Sequence, residues 1–267
     1  MLLACNYSDE LIELLKEDIV NVDYIKLGLF EMYKDVWEKA LSIKPILLHG
    51  LGFNERASMK NINDVNWEYV SSSIYKYKSP HYAIHLASIL KDWDYICKEQ
   101  VMIEHMTNVV KVWSNNIEVP FLIENMPYSL FDEEEFGMMK FCTSTDVINQ
   151  ILDKTNAKLL LDIAHAKVTA TNCHESVYDY LNRLPLEKVK EIHIVGTAEK
   201  ENVELRDWHL EMKEEDYEIL QWILSKTKPD IVTLEYGGPG EVFSWRSDKE
   251  ALKRQLIRLM EICNSVT

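Results

Sequence analysis

The sequence lacks the features that mark an extracellular or membrane-bound protein. Its five cysteines are scattered, at Cys5, Cys97, Cys142, Cys173 and Cys263, with no C-x-x-C spacing. This distribution is typical of reduced thiols rather than of disulfides or a thiolate metal site. No segment approaches the ~18 consecutive apolar residues that a membrane span requires, and the opening residues contain no basic region of a secretion signal. We therefore expect a cytoplasmic protein with no membrane contact.

Positive charge is also scarce. The chain has 29 Lys and Arg against 44 Asp and Glu, which gives a formal net charge of −15. A field of this sign opposes approach to the phosphate backbone of nucleic acids. The composition therefore argues against nucleic acid as a partner.

Linkers are absent as well. The 8 glycines and 7 prolines form no linker-like stretch, and no low-complexity segment divides the chain. A length of 267 residues lies near the typical size of a (β/α) barrel. We expect residues 1–267 to form a single domain.

Short apolar or β-branched runs alternate with helix-like segments about eight times. The predicted strands span residues 2–5, 22–27, 45–49, 81–86, 120–124, 158–162, 189–195 and 230–235. The clearest predicted helices are 93–115, where Trp93, Cys97 and Val101 begin a rough 3.6 period, together with 144–156 and 247–264. Strict alternation gives a parallel sheet with right-handed crossovers, and eight repeats close it. The pattern therefore predicts an α/β fold, a (β/α)8 TIM barrel.

The longest predicted connections follow the third, fifth and seventh strands, at 50–63, 125–142 and 196–213. In a TIM barrel such βα loops lie at the C-terminal face, where active sites are built. We expect the functional site there.

Imidazole and carboxylate side chains stand at or just beyond the ends of six successive strands, from the third to the eighth. They are His49, His85, Glu124, Asp162, His165, His193, Asp207, His209 and Glu235. Because the C-terminal ends of barrel strands meet on one face, the pattern predicts that these side chains converge.

No positive side chain belongs to this set, so its carboxylates would repel one another without a counter-charge. Histidine and carboxylate ligands without thiolate suit Zn, Fe, Mn or Co, and nine ligands are too many for one ion. The sequence therefore predicts two or three metal ions. Asp207 and His209 lie at i and i+2, on one face of an extended segment, and can share a subsite with His165.

Four further polar residues have other expected roles. His81 begins a strand and His105 lies within a helix, so we expect structural or solvated roles for both. His174 follows the sixth βα loop and is a candidate substrate contact. Asn125, next to Glu124, is expected to orient that ligand or to contact substrate.

The order of these residues resembles that of the xylose-isomerase-like barrel superfamily. Two of its groups have trinuclear sites: endonuclease IV and the multinuclear non-heme iron-dependent oxidative enzymes. The flanking motifs resemble the second group from about residue 45 onward: "LHGLG" (48–52), "HLA" (85–87), "ENMPYSL" (124–130), "LLLDIAHAKVTATN" (159–172), "KEIHIVG" (190–196), "DWH" (207–209) and "TLEYG" (233–237).

The resemblance implies three metal subsites. The ligand sets would be His49, His85 and Glu124; Glu124, Asp162, His193 and Glu235; and His165, Asp207 and His209. Glu124 would bridge the first two subsites. The catalytic residues would be Glu124, Asp162 and Glu235. Two positions depart from the pattern. Many members have asparagine at the position of His165, and many have histidine at the position of Thr197.

The resemblance also implies a function. Similar enzymes use iron and dioxygen to oxidise a cysteine or another residue of a ribosomally made precursor peptide, commonly with a small peptide-recognition partner protein. We therefore expect a cofactor of two or three metal ions, with iron as the expected metal and Zn or Mn as alternatives. Three other functions fit the ligands: an endonuclease IV-like phosphodiester hydrolase, a sugar isomerase or epimerase with one divalent metal, and a non-catalytic metal store.

Overall fold

A closed barrel of eight parallel strands forms the centre of the computed structural model, which describes residues 1–51, 62–93, 98–200 and 204–265. The barrel strands are β1 (Leu2–Asn6), β2 (Tyr24–Leu27), β3 (Ile46–His49), β4 (Tyr82–His85), β5 (Phe121–Glu124), β6 (Lys158–Asp162), β7 (Val189–Ile194) and β10 (Ile231–Leu234). Neighbours pair in chain order, and β10 closes on β1. The predicted TIM barrel is confirmed.

The helices lie between the strands. They are α1 (Asp9–Lys16), α2 (Trp37–Leu41), α3 (Trp67–Tyr77), α4 (Glu99–Asn116), α5 (Leu130–Phe136), α6 (Thr145–Asp153), α7 (Ile163–Asn172), α8 (Val177–Asn182), α9 (Glu214–Leu224) and α10 (Lys249–Ser265). Ser8, Asn66 and Ser129 cap α1, α3 and α5 through their side-chain oxygens. Among the described residues, no helix combines the length and apolar character needed to cross a membrane.

The helix predicted from residue 93 begins later, at Glu99. Trp93 has extended backbone, with φ −120° and ψ 128°. Its indole Nε1 donates to Ser88 Oγ at 2.8 Å, and its ring meets His105 edge-on, with 5.3 Å between centroids. Side-chain contacts to the loop and to the helix thus hold Trp93 outside the helical pattern. Cys97, the next residue of that predicted period, lies outside the described residues.

The predicted long connections contain regular secondary structure that the sequence pattern does not predict. Residues 196–213 include an antiparallel hairpin of β8 (Gly196–Lys200) and β9 (Glu204–Leu210). Residues 125–142 include α5 and most of a 3-10 turn, Lys140–Thr143. Of the loop predicted at 50–63, residues 52–61 lie outside the described residues.

The outer layer beneath β4 and β5 is organised by Trp113 of α4, which is fully buried. Its ring stacks on Tyr82 and Phe121, the first residues of the two strands, at centroid distances of 5.4 and 5.3 Å. Trp67 of α3 meets it edge-on at 4.8 Å. Because β4 and β5 end in His85 and Glu124, this stack supports two candidate ligands from below.

Replacing Trp113 with alanine should lower the free energy of unfolding by about 3–5 kcal/mol, because the substitution removes a large buried ring and leaves a cavity. Urea denaturation followed by circular dichroism measures the loss. Tyr75→Ala is the matched control, since Tyr75 is 88% exposed and its loss should leave stability nearly unchanged. Equal midpoints for the two variants would contradict the role assigned to the stack.

Candidate metal centre

All nine predicted ligands converge at the C-terminal mouth of the barrel. The strand register places several at the same level, since His85 pairs with Glu124 across β4 and β5, and Asp162 pairs with His193 across β6 and β7. Glu235 directly follows β10, and its backbone N–H donates to Ile194 O. The convergence expected from strand ends is therefore present in the structure.

The first group consists of His49, His85 and Glu124, whose ligand atoms lie within 4.8 Å of one another. Oxygen Oε2 of Glu124 lies 2.6 Å from His49 Nε2 and 3.0 Å from His85 Nε2. One carboxylate oxygen thus faces two imidazoles. This is the set that the resemblance assigns to the first subsite.

The second group consists of Glu124, Asp162, His193 and Glu235, all buried and again within 4.8 Å. Atom Nδ1 of His193 lies 3.1 Å from Glu124 Oε1, 3.2 Å from Glu235 Oε1 and 3.9 Å from Asp162 Oδ2. Glu124 therefore belongs to both groups and contributes a different oxygen to each. This is the geometry that a bridging carboxylate requires.

The third set centres on Asp207. Its Oδ2 lies 3.2 Å from His165 Nε2 and 3.1 Å from His209 Nε2. Asp207 and His209 both come from β9, so the hairpin delivers this pair to the mouth of the barrel. The i, i+2 spacing places both side chains on one side of an extended strand, as the sequence reading expected.

The D-x-x-H step of "DIAH" has a local structural cause. Asp162 is the N-cap of α7, and its Oδ1 accepts the His165 backbone N–H at 2.6 Å. The cap uses one carboxylate oxygen and fixes His165 in the first helical turn. The other oxygen, Oδ2, is left facing the second group.

Asn125 locks this arrangement rather than facing substrate. It is fully buried, its Nδ2 donates to Asp162 O at 2.9 Å, and its Oδ1 accepts the Asp162 N–H at 2.9 Å. Its carbonyl oxygen lies 2.8 Å from His165 Nδ1. Both ends of the amide are engaged, so the substrate contact expected for Asn125 does not fit the structure. Asn125 has an orienting role, but toward Asp162 and His165 rather than toward Glu124 as expected.

His174 is also placed away from the centre. It lies beyond the C-terminal end of α7, is exposed, and has a left-handed backbone with φ 57°. Since α7 starts at the cluster and rises about 1.5 Å per residue, its ten residues separate His174 from the mouth by roughly 15 Å. The expectation that His174 contacts substrate is not supported by this position.

Two buried carboxylate oxygens of the cluster have no hydrogen-bond partner among the described residues, namely Asp162 Oδ2 and Asp207 Oδ1. A buried carboxylate oxygen without a partner is costly unless a cation or ordered water satisfies it. The donor set is imidazole nitrogen and carboxylate oxygen without thiolate, which suits Zn, Fe or Mn. The residues present therefore fit a multinuclear metal site.

The carboxylates differ in their affinity for protons. Burial opposes the charge of Glu124, but the imidazoles of His85, His49 and His193 hold its pKa well below the usual range. Burial raises the pKa of Asp162 to about 7, against the opposing effect of a neighbouring imidazole. Without bound cations, the carboxyl group of Asp162 is therefore partly protonated near pH 7, whereas that of Glu124 remains ionised.

A lysine lies within the cluster, which corrects the expectation that no positive side chain is present. Lys26 of β2 is 7% exposed, its Nζ forms an ion pair with Glu235 Oε1, and it lies 3.5 Å from His193 Nδ1. Burial opposes its charge, but Glu235 and Glu124 outweigh that effect and raise its pKa. One ammonium does not balance four carboxylates. The remaining positive charge must come from bound cations or from protonated imidazoles such as His193, whose pKa the surrounding carboxylates raise against the effect of burial.

A second layer of buried polar residues supports His193 from below. Glu191 Oε1 lies 3.0 Å from His193 Nε2 and accepts the Thr233 hydroxyl at 2.5 Å, and its Oε2 lies 2.6 Å from His81 Nε2. With Nε2 of His193 donating to Glu191, Nδ1 is the atom that faces the second group. The i, i+2 relation of Glu191 and His193 was the available sequence signal.

Glu191→Gln should weaken metal binding by about 10–100-fold, because it removes the charged acceptor that orients His193. Metal titration under anaerobic conditions, followed by equilibrium dialysis and elemental analysis, measures the affinity. Glu187→Gln, an exposed acid of the preceding turn, is the control. Identical affinities in the two variants would show that Glu191 does not position His193.

Lys26→Met should destabilise the metal-free protein by about 3–5 kcal/mol, because it leaves a buried carboxylate unpaired. Saturating metal should restore most of this loss, since a cation on Glu235 replaces the ammonium and binding stabilises the native state. Thermal unfolding with and without metal measures both effects. Lys76→Met, which breaks the exposed Lys76–Glu38 pair, is the control. If saturating metal left the destabilisation unchanged, the result would contradict the prediction that a bound cation replaces the ammonium of Lys26.

Comparisons with known proteins identify the relatives of this chain. A family model described as "RiPP precursor modification enzyme MbnB/TglH/ChrH" matches residues 19–239. A UPF0276 protein of Rhizobium meliloti is 36% identical over 106 residues, 39% of this chain and 31% of that protein. Another, of Acaryochloris marina, is 25% identical over 168 residues, 59% and 57% of the two chains. The chain thus spans from about a third to somewhat over half of the length of these relatives.

Solved structures confirm the fold. The IolI protein with a bound zinc atom has a TM-score of 0.65 and 13% identity, covering 100% of this chain and 99% of that chain. A xylose isomerase domain protein from Alicyclobacillus acidocaldarius has a TM-score of 0.58 and 14% identity, with the same coverage. The family match extends over most of the sequence and includes all nine candidate ligands. The chain therefore belongs to the MbnB/TglH/ChrH family of RiPP precursor modification enzymes, in a xylose-isomerase-like barrel.

Proposed function

We propose that this chain is an oxidase that uses two or three iron ions and dioxygen to modify a cysteine or another residue of a ribosomally made precursor peptide. The observation that carries the proposal is the sharing of Glu124 between two ligand groups in a chain of this family. Glu124 would hold two ions close together, and His165, Asp207 and His209 would hold a third beside them. Dioxygen is the oxidant, and the peptide residue supplies the electrons.

The candidate ligands differ in their exposure to solvent. In the second group, Glu124, Asp162 and His193 are at most 1% exposed. The side chains of His85 and His209, in the first and third sets, are 29% and 23% exposed. The substrate residue would therefore approach the first and third subsites, while the second stays shielded from water.

A pocket of about 250 Å³ is located at the exposed first and third sets. Candidate ligand side chains line it together with Met126, Pro127, Lys26, Tyr33 and Arg246. Bound iron would supply open coordination positions for a sulfur ligand and for dioxygen. The protein's own contribution is to hold the peptide residue against these positions and to limit access of solvent.

The proposal includes a precursor peptide as substrate and a small peptide-recognition protein as partner. The pocket is smaller than the 300–1,000 Å³ typical of sites for drug-sized ligands, so it accommodates only a short part of a peptide. The rest of the precursor would need another binding surface. A separate recognition protein can supply one.

Anaerobically purified protein should contain two or three iron ions per chain and should consume dioxygen when its precursor peptide is added. Glu124→Gln should lose both oxygen uptake and most bound metal, because the substitution disturbs two subsites together. Glu134→Gln, an exposed acid of α5, is the matched control and should retain both. Elemental analysis and an oxygen electrode give the two readouts. A full complement of zinc with no iron and no oxygen uptake would exclude the proposed oxidase.

A single-metal isomerase or epimerase is the second candidate. The group of Glu124, Asp162, His193 and Glu235 is by itself a complete four-ligand set. One ion per chain and turnover of a sugar would favour this candidate. It leaves His49, His85, Asp207 and His209 without a role, which is why the multinuclear oxidase is preferred.

A further inference from the structure

Arg246 is a buried cation in the wall of the pocket. It ends the 3-10 helix Glu241–Arg246, which follows β10, and it is only 8% exposed. It lines the same pocket as Asp207, His209 and Glu235. Its side chain thus lies at the metal centre without belonging to the ligand sets.

The polar contacts of Arg246 are incomplete. Within the described ranges its Nε is buried without a hydrogen-bond partner. Burial lowers the pKa of Arg246, and Glu235, Tyr33 and Asp207 oppose that effect through space. Buried arginines are normally paired, because an unpaired buried charge is strongly destabilising. The unsatisfied Nε–H donor therefore points to a missing anionic partner.

Two aromatic rings hold the guanidinium in place. It lies 4.5 Å from the ring centroid of Phe243 and 5.4 Å from that of Trp245. Cation–π contacts of this kind stabilise the charge and the orientation of the group without using its N–H donors. The five N–H donors of an arginine form a planar fork that matches a carboxylate. The arrangement is therefore pre-organised for a planar anion.

The nearby carboxylates are committed to other partners. Glu235 pairs with Lys26, and Asp207 lies between His165 and His209. Both also belong to the proposed metal sets, so bound cations would draw their charge away from Arg246. With metal present, Lys26 and Arg246 would carry excess positive charge in the lining of the pocket.

We propose that Arg246 binds a carboxylate of the substrate and thereby orients the reacting residue against the metal centre. The inference rests on the proposed function, because an unmodified ribosomal peptide offers carboxylates but no phosphate. Two sources have this chemistry: the C-terminal carboxylate and an Asp or Glu side chain. A pocket of about 250 Å³ can hold either, together with the neighbouring residue.

Zinc-loaded protein allows a test that does not depend on turnover. The probes are N-acetylglycine for a chain end, N-acetylaspartate with its α-carboxyl amidated for a side chain, and N-acetylglycinamide as the neutral analogue. Isothermal titration calorimetry should show that at least one carboxylate binds about 10–100-fold more tightly than the amide, as expected for a charge-assisted pair. The probe with the higher affinity identifies the source.

Arg246→Gln should reduce this preference to near one without changing the zinc content, and Arg246→Lys should retain part of it, because lysine keeps the charge but loses the fork. Arg254→Gln, an exposed arginine of α10, is the control. Equal affinities of carboxylate and amide in the wild-type protein would overturn the proposal, and this comparison needs no variant. An unchanged preference in Arg246→Gln would also overturn it, because the carboxylate would then be binding the metal.

These outcomes are separable from those of the proposed function. Protein without iron or oxygen uptake can still prefer a carboxylate through Arg246. An iron-dependent oxidase can equally lack the preference. The calorimetric ratio therefore tests Arg246 and not the identity of the metal.

Discussion

The site depends on the carboxylate of Glu124, whose two oxygens face two different sets of imidazoles. One oxygen meets His49 and His85, and the other meets His193. The residue is 1% exposed at the end of β5, so its charge has no access to bulk water. In such a position a carboxylate stays ionised only if positive or hydrogen-bonding groups surround it. The neighbouring strand ends supply those groups, and the barrel supplies the strand ends.

The excess of carboxylate groups over ammonium groups favours cation binding at the cluster. Glu124, Asp162, Asp207 and Glu235 meet in a small volume, and Lys26 is the buried ammonium among them. The N-cap formed by Asp162 and the hydrogen bonds of its backbone to the Asn125 side chain hold the candidate ligands in place before any metal binds. Together they occupy one carboxylate oxygen and the backbone of Asp162. The remaining oxygens face inward. A centre built in this way is rigid, so metal binding requires little rearrangement.

Much of the fold, and the convergence of the candidate ligands, was predictable from sequence. Runs such as "KLLLD" end in a candidate ligand because parallel strands must bury both faces, while their C-terminal ends open onto the mouth. Glu124 and Glu235 could be found for this reason. Lys26 could not, since a lysine in a short strand is ordinarily read as an edge or exposed residue. Arg246 lies in an irregular segment with no periodic signal, and only the tertiary structure brings it to the pocket. The hairpin of β8 and β9 was likewise read as a loop, although "ELRDWHL" has a strand-like alternation.

The most direct test of the central claim is anomalous diffraction from crystals of anaerobically prepared protein, with data collected on both sides of the iron absorption edge. The account predicts an iron peak in contact with each oxygen of Glu124, one beside His49 and His85 and one beside His193 and Glu235. A mouth that contains no anomalous peak, with the carboxylates satisfied by Lys26 and water alone, would contradict it.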